Sequence, residues 1–121
     1  MMAPAVFDVM LVMFFLHELD AVRCREWRYL IGLSRLPERM AASLFILLHA
    51  PLLGLIIVLS NHSVSSISEG TRLIFAALVL LHGLLHVLAP KARQAFAEPL
   101  SQLLIGLLTA SGAAYLWLVL H

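Results

Sequence analysis

Chemistry in this chain starts with ionisable side chains set where hydrocarbon is expected. The run Phe7 to Leu16 leads straight into His17-Glu18-Leu19-Asp20 and then Arg23-Cys24-Arg25-Glu26-Trp27-Arg28. Three more histidines, His49, His82 and His86, lie inside later apolar stretches. Ionisable groups at such depth are costly and tend to face a bundle interior or a pathway, which makes them functional candidates. Imidazoles with a carboxylate are ligands for first-row transition metals such as zinc or iron. The metal-ligand candidates are therefore His17, Asp20, His49, His82 and His86. His17, Glu18, Asp20 and Glu26 are the candidates for acid–base or other catalytic work.

The motifs themselves are sparse. His82 and His86 are four apart and share a helical face, but the segment His82-Gly83-Leu84-Leu85-His86 lacks the intervening glutamate of a HExxH metalloprotease. His17-Glu18 has no histidine at position 21. On the first helix His17, Asp20 and Cys24 fall on one stripe, with Glu18, Val22 and Arg25 beside it. The same residues also have a purely structural reading. Asp20 and Glu26 pair with arginines at the membrane edge, and neutral imidazoles hydrogen-bond across helices. A metal-free proton or ligand site is the third alternative, and residue types alone leave all three open.

Composition says what must position these groups. Of 121 residues, 62% are hydrophobic and 12% charged, with a mean hydropathy of +0.98. A soluble domain carries about twice that share of charge, so the expectation is an integral membrane protein of one domain. The predicted fold is all-α, a transmembrane four-helix bundle with spans over 4–22, 40–60, 71–89 and 99–120. Each is near the roughly 20 residues that cross a bilayer. The first is the weakest, since it contains Asp8, His17, Glu18 and Asp20. Asn61 and the serines through Ser68 read as a polar connection. Pro51 should kink the second span by releasing the Leu47 carbonyl.

Loop charge sets orientation. Arg23, Arg25, Arg28, Arg35 and Arg39 fall in or beside the first connection, and Lys91 and Arg93 in the third. The positive-inside rule puts both connections in the cytoplasm and both termini on the other side. The expected location is a bacterial inner membrane. At 1.5 Å per residue, all four intramembrane histidines then fall in the cytoplasmic half, His17 and His82 each about 10 Å deep. Arg25, Arg28 and Arg39 are candidates to receive a lipid headgroup or to form ion pairs.

The remaining features narrow the field. A single cysteine, Cys24, excludes an intramolecular disulfide and CxxC chemistry, and reads as a packing residue at an interface. The formal charge of +1 gives no nucleic-acid footprint. Membrane lipid and a lipid-like substrate are the expected partners. Gly106, Ala110, Ala113 and Ala114 give the last helix a small-residue side suited to contact within the monomer, in a homodimer or with a partner membrane protein.

The segment His17-Glu18-Leu19-Asp20-Ala21 with Glu26-Trp27-Arg28 resembles a group of small uncharacterised bacterial membrane proteins. Their signature is His-Glu-x-Asp-Ala followed by Glu-Trp-Arg. It is loosely similar to HXXEE-domain proteins, although the paired acids of that name are broken here by Ala21. The resemblance implies a four-span chain with His17, Asp20, Glu26, Trp27 and Arg28 as its marked residues, and brings no established activity. The two function classes that follow are a metal-dependent enzyme on a lipid-like substrate and a non-enzymatic scaffold, accessory subunit or small transport component.

Overall fold

The structure, a computed structural model, describes residues 2–121. It is all-α, with no strand among the described residues. Four long helices, α1 (Met2–Arg23), α2 (Glu38–Ser60), α3 (Ser65–Leu88) and α5 (Pro99–Leu120), form the body, and a short α4 (Pro90–Ala95) precedes the last. Three of them, α2, α3 and α5, are long and apolar enough to cross a membrane. The remaining long helix, α1, matches α5 in length at 22 residues.

What joins the helices is a spacing, not a hydrophobic stripe. The buried residues of α1 include Phe7, Met10, Phe14, His17 and Ala21, separated by three and four in turn. On α3 the series Ala76, Val79, Gly83 and His86 keeps the same interval, and on α5 so does Ser101, Ile105, Leu108, Gly112 and Tyr115. Such a 3.5-residue period keeps one seam facing its neighbours along left-handed helix pairs. The outward-facing sides are equally apolar, with Leu19, Leu47, Val58 and Ile74 well exposed.

Close approach depends on two glycines. A Cβ at Gly112 would stand 2.9 Å from Val79 Cγ1, and one at Gly83 would fall on the Thr109 side chain. Small residues are how membrane helices approach when burial against lipid gains little. Gly106, on the side of α5 expected to be small and close-packed, has open space around it. Edge-on aromatic contacts fill the core at the far end, with Phe7 5.6 Å from Tyr115 and Phe14 5.2 Å from Phe75.

Local bonds shape the connections. Arg25 adopts a left-handed conformation at φ 55°, ending α1 and turning the chain back on itself. Gly32 supplies a second positive φ of 97° between two 3-10 turns, Glu26–Arg28 and Leu33–Arg35. The helix α3 begins at Ser65, six residues ahead of the apolar run, so most of the serine-rich stretch is helical. Ser68 Oγ donates to the Ser65 carbonyl and Thr71 Oγ1 to that of Ile67. Arg72 donates to the Ser60 carbonyl at 3.0 Å and lies over the Phe7 ring. Pro51 sits inside an unbroken α2.

Candidate metal centre

Three imidazoles converge where the α1 and α3 seams meet. His82 Nε2 lies 2.8 Å from His17 Nε2 and 3.0 Å from His86 Nε2. His17 is fully buried and His86 nearly so. The 3.5-residue seam puts His17 and His86 inward, and His82 stands one turn from His86 on the same face. Phe96, fully buried in the connection between α4 and α5, closes the cluster, with its ring 4.5 Å from His86 and 5.6 Å from His17.

The turn at Arg25 delivers a fourth donor. It swings Glu26 back under the bundle, where its Oε1 lies 3.9 Å from His86 Nε2. One ligand atom each from His17, Glu26, His82 and His86 fits within 4.8 Å of the others. Burial pushes the Glu26 carboxyl up to about 7, with the nearby Glu18 charge adding to the shift and His49 opposing it.

These nitrogens cannot satisfy one another. A neutral imidazole nitrogen offers one hydrogen or one lone pair in the ring plane. His82 Nε2 therefore serves His17 or His86 well, not both. His17 Nδ1 and His86 Nδ1 are also buried without a partner among the described residues, as is Asp20 Oδ2. Tetrahedral zinc with ligand distances of about 2.0–2.1 Å holds its donors about 3.3 Å apart. The His–His separations of 2.8 and 3.0 Å and the His–Glu separation of 3.9 Å bracket that spacing. Three imidazoles and one carboxylate form a donor set that suits a first-row divalent ion.

The other sequence candidates go elsewhere. Asp20 holds Arg23 at 2.7 Å, and Arg23 also reaches Glu98 at 2.6 Å and donates to Ser101 Oγ at 3.2 Å, tying α1 to the start of α5. His49 bonds the Phe45 carbonyl through Nδ1 at 2.5 Å and turns Nε2 toward Glu18, 2.7 Å from Oε2. That approach is off the line of a hydrogen bond and leaves Glu18 Oε2 without an aligned donor. Arg28 and Arg25 both engage Glu38, at 3.1 and 3.8 Å, and exposed Arg39 gives its carbonyl to Ser43. Asp8 is exposed on α1. Cys24 Sγ contacts Ser101 Oγ at 3.8 Å and burial pushes its thiol up, which suits a packing role.

Sequence reasoning missed Phe96, Ser101 and the path of Glu26 into the imidazoles. An aromatic isolated in a polar connection was the one signal for Phe96. Nothing local announced a left-handed arginine.

Beside the centre, α1, α2 and α3 enclose a cleft of about 560 Å³. Its walls are apolar, including Phe14, Leu52, Ile56 and Leu78, while Glu18, Glu26, His49 and His82 gather at one end.

An all-helical bundle with three helices fit to cross a membrane and a buried histidine–glutamate cluster is the class this architecture defines. Within it, the chain belongs to a family of unknown function (DUF6713), which matches residues 3–121. No curated protein and no solved structure matches the chain.

Proposed function

We propose that this is a small integral membrane metalloenzyme in which His17, His82, His86 and Glu26 hold one divalent transition ion, zinc or iron. The observation that carries the reading is the placing of His82 Nε2 within 3.0 Å of two other imidazole nitrogens, His17 and His86. A divalent ion of this kind is a Lewis acid and brings water toward ionisation near neutral pH. The protein's own residues supply the rest. Glu18, beside His49, is the acid–base group facing the cleft, and Asp20 with its Arg23 partner positions the α1 end of the site. The apolar cleft takes a lipid-like substrate.

In this reading α1 crosses the bilayer alongside α5, giving four spans. The arginine-rich turns and α4 lie in the cytoplasm of a bacterial cell, both termini lie across the inner membrane, and the centre opens toward the cytoplasm. Arg25, Arg28 and Arg39 then lie at headgroup level.

A scaffold reading draws on the Asp20–Arg23–Glu98 bridge, which stitches two helices at the level of the cluster with no chemistry required. Elemental mass spectrometry on detergent-purified protein separates the two. Near-stoichiometric zinc or iron, lost from a correctly folded His82→Ala/His86→Ala double variant, is the expected result. Equal metal in both proteins, or none in wild type isolated without chelator, overturns the metal reading and leaves the scaffold.

A further inference from the structure

The cleft between α1, α2 and α3 has a polar end and an apolar body, and the two together specify an occupant. Its body runs along α2 from His49 to Leu59, about 15 Å at helical rise. That shape takes one extended alkyl chain. Its polar end holds two carboxyls, Glu18 and Glu26, and two imidazoles, with no lysine or arginine in the lining. Glu18, which stands outside the four metal-holding residues, meets an anionic head with like charge, and no basic side chain of the lining offsets it. Arg25 and Arg28 are turned to Glu38. Glu18, whose Oε2 is buried without an aligned donor, calls for a hydrogen on the ligand.

We infer that the cleft is a binding site for a single-chain amphiphile with an uncharged hydroxyl head, which donates to the Glu18 carboxyl while its chain lies along Phe14, Leu52, Leu55 and Leu78. This deepens the metal-centre reading and rests on it for what becomes of the head, because His82 belongs to both the cleft and the cluster. Seating of the chain depends on the cleft alone.

A second groove makes an internal control. Between α1 and α5, Val9, Met13, Leu107 and Ser111 line an outer groove of similar size with no titratable side chain. Lipid that merely coats the protein fills both alike.

The test is photo-crosslinking of purified full-length protein with a diazirine-bearing hexadecanol, mapped by peptide mass spectrometry, with metal content measured on the same samples. Label is expected on the α2 and α3 walls in preference to the outer groove, competed by hexadecanol and monoolein and not by palmitate. Glu18→Leu is expected to weaken competition about tenfold, the worth of one hydrogen bond to a charged group. Leu78→Trp fills the body of the cleft and is expected to abolish cleft label while keeping its metal; Leu55→Trp does the same from α2 should that variant misfold. His86→Ala is expected to lose metal and keep the label. Equal labelling of the two grooves, or equal competition by palmitate, overturns the proposal. Selective labelling in a wild-type protein that holds no metal upholds the site and overturns the metal centre instead.

Discussion

Glu18 Oε2 stands 2.7 Å from His49 Nε2, so a carboxyl of α1 meets an imidazole of α2 across the mouth of the cleft. Neither side chain is more than about a quarter exposed, at 13% and 22%. Neighbours of this kind couple by about 0.5–3 kcal/mol, whereas distant sites add. A double-mutant cycle with Glu18→Gln and His49→Phe is expected to return a coupling in that range, read from thermal unfolding in detergent. A cycle of Glu18→Gln with Arg28→Gln is the comparison, since Arg28 bonds Glu38 instead. Additive behaviour in the first cycle removes the latch between α1 and α2.

Glu26 makes the metal-free protein sensitive to pH. Burial holds its carboxyl near 7, against an ordinary value of 4.5. Because the folded-state pKa is the higher one, the folded form binds the proton more tightly than the unfolded form. Stability is therefore full below about 4.5, falls as pH rises, and levels off above 7. The shift corresponds to about 3 kcal/mol. Chelator-treated protein should melt progressively lower from pH 4.5 to 7.5, and Glu26→Gln should flatten the slope. Metal uptake should run the other way, rising through pH 7 as the carboxylate forms.

Gly83 and Gly112 set how closely α3 approaches α5. Gly112→Ala places a methyl 2.9 Å from Val79 Cγ1 and 3.4 Å from the Ala76 carbonyl oxygen. Overpacking of this kind costs about 1–3 kcal/mol. Gly83→Ala meets the Thr109 side chain and should cost at least as much. Gly106→Ala, with nothing within 4 Å, should be neutral or gain up to about 1 kcal/mol of helix propensity. Melting temperatures of the three variants give the ranking directly. A Gly106→Ala protein as damaged as Gly112→Ala contradicts the contact.

These residues also mark how far the sequence could be read. The long helices and the depth agreement of His17, His82 and His86 follow from apolar run lengths and helical rise. The seam does not, because residues facing outward are as apolar as those facing the bundle. Phe7, Met10 and Phe14 look no different from Val9, Val12 and Phe15 along the chain. Asp20 and Glu26 are alike by type and by distance from the membrane edge, yet one reaches Arg23 and the other the imidazoles. A single backbone angle at Arg25 decides between them, and arginine carries no signal for φ 55°. The helical start at Ser65 was masked because serine suits a turn as readily as a first helical turn.

The acids of α1 distinguish it from the three helices fit to span by composition. If α1 crosses, Ala3 and Ser63 lie on one side of the membrane and Ser34 on the other. If α1 lies at the interface, Ala3 joins Ser34. Single cysteines at these positions in a Cys24→Ser background report the difference through a membrane-impermeant maleimide applied to bacterial spheroplasts. Labelling of Ala3→Cys and Ser63→Cys from outside, with Ser34→Cys protected until lysis, is the expected pattern. It follows from five arginines clustered in and beside the first connection and from α1 lying along the full-length helix α5. Protection of Ala3→Cys with Ser63→Cys labelled puts α1 outside the bilayer. Its seam residues Phe7, Met10 and Phe14 are buried in the bundle core, so that result would require a different bundle.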